Sequence, residues 1–161
     1  MKKFNKRTYN NISEFIDDIK FFIKNRDKIK KLHKEQLLNK DFQERLMVAV
    51  TGVNDCRYCT YYHTRLALET GITSEEIDNL LEGTFEDSPD NEKIALLYAQ
   101  HWADQNGSPD MDYKEELIEC YGLEKSQLIN LTIRTINFGN LMGNTLDYFL
   151  YKLTFGLLGK P

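Results

Sequence analysis

Apolar residues recur at Ile12, Phe15, Ile16, Ile19, Phe22 and Ile23, with Asp17, Asp18, Lys20 and Lys24 between them. This spacing predicts an amphipathic first helix reaching to about Lys30. A second pattern runs from Phe42 through Leu46, Met47 and Val50 until "TGVND" interrupts it, with Asn39 placed to cap its start. The run "LMVAV" also suits a buried strand, but Asp41, Gln43, Glu44 and Arg45 precede it without alternation, which favours helix. Asp55 is placed to cap a third helix running to Thr70, where Gly71 offers a left-handed stop. "TSEE" at Thr73–Glu76 reads as a capping box opening a fourth helix that Gly83 ends. A fifth carries Ile94, Leu97, Tyr98 and Trp102. A sixth over 112–121 stops at Gly122, a seventh runs through Leu128, Leu131, Ile133, Ile136 and Phe138, and an eighth holds Leu146, Phe149, Leu150 and Leu153. No Asn-Gly hairpin separates alternating β-branched runs, so the expected fold is all-α with about eight helices.

A chain of 161 residues fits one domain and can bury roughly 70% of its unfolded surface, so it needs no disulfide or metal to stand. Neither a secretory signal nor a membrane-spanning run is read in it, and the expected location is cytoplasmic. Charge changes the picture more than composition does. Residues 1–40 carry 12 Lys and Arg against 5 Asp and Glu, leaving 9 against 20 for the rest. The reading is a basic helical extension over 1–37 packed on an acidic body over 38–161, within one domain overall. The basic residues are interleaved with an amphipathic pattern rather than gathered in one block, so neither nucleic acid nor membrane is expected as a partner.

The chemistry concentrates in "NDCRYCTYYHTR", which holds two of the three cysteines and one of the three histidines. On a helix Cys56, Cys59 and His63 fall within an arc of about 60°. Thiolates are favoured by a helix N-terminus and by a cationic or proton-accepting neighbour. Cys56, nearest the helix start, is the better candidate for exposure, and Cys59 has the base in reach. A histidine acting as a base needs an orienting group, and Glu44, beside Phe42 and Leu46 on the preceding helix, is the candidate.

Blander readings stand beside this one. Thiolates and imidazole also suit zinc, but a structural site wants a fourth ligand, for which only Cys120, His33, His101 and acids remain. No metal or cofactor is expected. Cys120 reads as a small buried hydrophobe, and His33 and His101 as solvated. Tyr58, Tyr61, Tyr62 and Trp102 read as packing before pocket lining. In "NFGNLMGNTLDYF" small and polar residues interrupt an apolar pattern, serving either close helix packing and an interface, which is favoured, or a polar wall with Asn140, Asn144 and Asp147 facing the site.

Glu44, "CRYCTYYH" twelve residues on, and "ALETGITSEEI" after it resemble the alkylhydroperoxidase AhpD-like branch of the carboxymuconolactone decarboxylase superfamily. The resemblance covers about residues 38–83. Where the best-known AhpD proteins have a histidine immediately before the second cysteine, this chain has Tyr58. The resemblance implies an all-helical trimer or hexamer that reduces hydroperoxides, organic ones above all. In it Glu44 and His63 relay the proton of Cys59, Cys59 attacks the peroxide, Cys56 resolves the sulfenic acid, and a dithiol partner protein resets the exposed Cys56 sulfur. Two alternatives remain: a decarboxylase-like lyase that uses His63 as its acid or base, and a non-enzymatic oligomeric scaffold whose cysteine pair reports redox state or holds zinc.

Overall fold

The computed structural model describes residues 4–34 and 37–159. Among these the chain forms six helices and no strand: α1 (Ile12–Lys34), α2 (Lys40–Asn54), α3 (Arg57–Glu69), α4 (Ser74–Glu82), α5 (Lys93–Asp104) and α6 (Met111–Leu153). The all-α expectation holds, and the eight expected helices become six, the last of them made of two helical arms that meet at Gly122. The break foreseen at Gly122 is there, as a residue at φ 72°, ψ 163° inside α6. That left-handed φ suits glycine. Ser126 secures the bend, its hydroxyl lying 2.7 Å from the Gly122 carbonyl and 3.1 Å from that of Leu117. The seventh and eighth helices are one rod, because Gly139 and Gly143 keep helical backbone and Asn140, Asn144 and Asp147 between the apolar residues are buried rather than looped out.

α2 lies at the centre, packed against α3, α4, α5 and α6. This explains why "LMVAV" lacks a polar face: all five residues are buried. Leu46, Val50, Ala95, Leu96, Ile129 and Ile133 form part of the core. Asn39 makes no side-chain cap to α2. Gln43 Nε2 instead donates to the Leu38 carbonyl at 2.7 Å. At α4 the capping threonine is as expected, Thr73 Oγ1 accepting from Glu76 N at 3.2 Å.

The buried charge on α2 is Arg45, whose guanidinium meets Glu76 at 2.6 Å, Asp41 at 3.0 Å and Glu92 at 3.3 Å. Three carboxylates on one buried cation leave the node acidic, and burial raises the Glu92 carboxyl above its usual range despite Arg45 beside it.

α1 is fastened to α6 through aromatic and ionic contacts. Phe138 takes Phe22 at a centroid distance of 4.8 Å and Phe15 at 6.3 Å, while Arg134 binds Asp18 at 3.1 Å and covers the Phe21 ring at 3.8 Å. Ile12, Ile16 and Ile23, expected on the same apolar face, are exposed. The segment before α1 is strapped down as well. Arg7 donates to the carbonyls of Ala103 and Asp104 at the end of α5, and Tyr9 N donates to Thr145 Oγ1 on α6.

Candidate functional site

The junction between α2 and α3 turns within two residues. Asp55 takes left-handed backbone at φ 50° as the C-cap of α2, and Cys56 is the N-cap of α3, its Sγ accepting from Cys59 N at 3.4 Å. The expected cap at Asp55 is therefore displaced by one residue. A sulfur sits where Ser or Asp usually would, and both cysteines fall in the first turn of α3, where the helix dipole favours a thiolate. Cys56 and Cys59 are joined as a disulfide with Cα atoms 5.3 Å apart.

The two sulfurs are not equivalent, and the expectation about them is reversed. Cys56 is wholly buried and Cys59 is partly exposed. What covers Cys56 is α6: a Cβ placed on Gly143 would sit 2.9 Å from Cys56 Sγ and 3.9 Å from Cys59 Sγ. Any larger residue there would press on the sulfur.

His63 stands one turn after Cys59 on α3. Its Nδ1 is 2.8 Å from Glu44 Oε2 on α2, with both side chains largely buried. A carboxylate accepting from Nδ1–H leaves Nε2 as the basic nitrogen of the ring. Tyr62 stands edge-on to the imidazole at 5.1 Å. A groove of about 500 Å³ opens on this pair, walled by Met47, Leu66 and Tyr62 with Lys40 among its lining; neither cysteine lines it. The four residues expected from the sequence thus fall into two pieces, a disulfide at the start of α3 and, one turn further along it, an imidazole paired with a carboxylate of α2.

Both residues between the cysteines are also engaged. Arg57 donates to Asp147 Oδ1 at 2.6 Å and to Tyr58 Oη at 2.7 Å, and Tyr58 Oη donates to the same Asp147 oxygen at 2.8 Å. The Tyr58 hydroxyl and Asp147 hold the Arg57 guanidinium above its ordinary pKa. Asp147 has no solvent exposure, and its Oδ2 has no hydrogen-bond partner among the described residues. Asn140 and Asn144, on the same face of α6, bind back to α2. Asn140 Nδ2 donates to Thr51 Oγ1 at 3.2 Å, and Asn144 Nδ2 to the Asn54 carbonyl at 2.7 Å. The polar positions 140, 144 and 147 thus divide: two fasten helices, and the third holds the turn between the cysteines.

Other sequence expectations change. Cys120 is exposed, because it lies on the outer side of α6 just before the Gly122 bend. His101 is mostly buried, stacked on the Tyr113 ring at 3.9 Å with Nε2 3.1 Å from Asp110 Oδ2. The side chain of His33 lies outside the described residues. Tyr61 is exposed, whereas Trp102 packs in the core. Among the described residues no three His, Cys, Asp or Glu side chains are grouped to hold a metal ion, and no helix is long and apolar enough to cross a membrane.

Residues 21–100 match the model of the carboxymuconolactone decarboxylase family. The chain belongs to that family. The family segment runs from within α1 to within α5 and contains Glu44, Cys56, Cys59 and His63, whereas Gly143 and Asp147 lie beyond it. The carboxymuconolactone decarboxylase family includes AhpD-like proteins. No curated protein and no solved structure matches the chain.

Proposed function

We propose that the protein is a thiol-dependent peroxidase of the AhpD-like type, a disulfide oxidoreductase acting on hydroperoxides. The observation that carries this reading is a disulfide in the first turn of a helix whose next turn presents an imidazole held by a buried carboxylate. In the dithiol form, His63, oriented by Glu44, takes the proton of Cys59. The Cys59 thiolate attacks the distal peroxide oxygen, breaking the O–O bond and releasing an alcohol after protonation, and Cys59 becomes a sulfenic acid. Cys56 then displaces water from that sulfenic acid and closes the disulfide.

Regeneration needs a dithiol reductant. Because Cys56 is buried and Cys59 is not, the incoming thiolate attacks Cys59 and Cys56 leaves; this replaces the expectation that Cys56 is the sulfur a partner meets. The same reading places the protein in a reducing cytoplasm, as a homo-oligomer served by a dithiol protein. Tyr58 stands where the best-known AhpD proteins carry a histidine, so no second imidazole adjoins Cys59 in sequence. Thiol-dependent consumption of an organic hydroperoxide by wild type, Cys56→Ser and Cys59→Ser proteins tests the proposal. Both variants are expected to lose turnover, and equal rates in all three would reject it.

One observation favours a second reading. The groove of about 500 Å³ is lined by Glu44, His63 and Lys40 and by neither cysteine. A lyase acting on an organic acid would use Lys40 to hold the carboxylate and His63 to move a proton, and it would keep its activity in both cysteine variants.

A further inference from the structure

The Asp147 side chain has no solvent exposure, and a carboxylate in such a place destabilises the fold unless partners offset it. Its side-chain partners among the described residues are Arg57 and Tyr58, both bound through a single oxygen. These are the two residues that separate Cys56 from Cys59. One turn earlier on the same helix, Gly143 is the residue against the Cys56 sulfur. Fastening α6 to the body does not require this charge, because Asn140 and Asn144 already bind α2 on the same helical face. The carboxylate therefore acts on the turn between the cysteines.

We infer that Asp147 is a positioning residue for the cysteine pair: by clamping Arg57 and Tyr58 it holds the two thiols of the reduced protein within reach of each other and so favours the disulfide. This rests on the redox reading given above. The first turn of a helix lacks the full set of intrahelical bonds, so the turn depends on outside contacts for its shape. A clamp that keeps two thiols in near-bonding geometry raises their effective concentration and makes ring closure more favourable.

The reaction that reads this out is exchange with dithiothreitol. The reagent closes its own S–S bond, the Cys56–Cys59 bond breaks, and two electrons and two protons pass from the reagent to the protein sulfurs. Asp147→Asn is expected to move the equilibrium about tenfold toward the protein dithiol, about 30 mV for this two-electron couple. Tyr58→Phe, at an exposed position, is expected to move it the same way by less, and it decides the matter if Asp147→Asn does not fold. Asp18→Asn is the control, removing a carboxylate that ties α1 to Arg134 of α6 away from the cysteines; it is expected to keep the wild-type ratio. Wild-type ratios in the Asp147 and Tyr58 variants, or an equal shift in the Asp18 variant, would overturn the inference alone. A wild-type protein that does not exchange with dithiothreitol would overturn it together with the redox reading.

Discussion

Glu44 Oε2 and His63 Nδ1 meet at 2.8 Å across the packed surfaces of α2 and α3. An imidazole so held has one basic nitrogen and one orientation. Glu44→Gln is expected to slow oxidation of the reduced protein by hydroperoxide by about 10²-fold, within the usual contribution of general base catalysis. Its thermal midpoint is expected to change little by comparison. Stopped-flow tryptophan fluorescence, with Trp102 as the single indole, measures the first and calorimetry the second. A variant as fast as wild type would remove Glu44 from the relay.

Thiol access is expected to be unequal in both redox states. Native oxidised protein is expected to give one fast thiol, Cys120, since the other two cysteines are bonded. After reduction, Cys59 is expected to alkylate well before Cys56, because α6 covers the latter. Timed iodoacetamide labelling with peptide mass spectrometry reads the order, and labelling of Cys56 ahead of Cys59 would contradict the direction of exchange proposed above.

Gly143→Ala places a methyl group 2.9 Å from Cys56 Sγ. Overpacking of this kind costs about 1–3 kcal/mol. Urea denaturation of the oxidised protein is the measurement, with Gly139→Ala as a comparison, since a Cβ there meets nothing within 4 Å. Equal midpoints for the two variants would show that the close approach is not felt.

The Arg45 node has a pH signature. Burial raises the Glu92 carboxyl in the folded protein above its unfolded value near 4.5. Between those two values the folded state holds more protons than the unfolded, so stability falls as pH rises through the window. Below about pH 4.5 the penalty is absent. Glu92→Gln is therefore expected to gain on the wild type as pH is raised from 4 to 7, in denaturation curves taken at each pH. Arg45→Ala leaves Glu76 and Glu92 unpaired and is expected to cost about 3–5 kcal/mol at neutral pH.

Local rules made part of the protein legible before its fold. Thr73 caps α4 and Gly122 breaks α6 because each acts on its own turn. Cys56, Cys59 and His63 share a helix because their spacing is helical. Glu44 is marked by its place beside apolar neighbours, and in the structure it is hydrogen-bonded to His63. Burial of Cys56 could not be read the same way, since the residue that covers it lies 87 positions downstream, at Gly143. Asp147 did stand out, as an acid in an apolar pattern with Asn140 and Asn144. Nothing in that pattern told which of the three would face Arg57, because all lie on one helical face. Cys120 is exposed rather than buried for a related reason: its side of α6 depends on how the rod turns at the bend.

The clamp between Arg57 and Asp147 spans 90 residues of sequence. At synthesis rates of about 5–20 residues per second, the cysteine turn waits roughly 5–20 s on the ribosome before its floor is made. During that interval Cys56 has no α6 over it. Completion of the last helix thus acts as the step that tells the two sulfurs apart, shutting Cys56 away while Cys59 stays within reach of solvent.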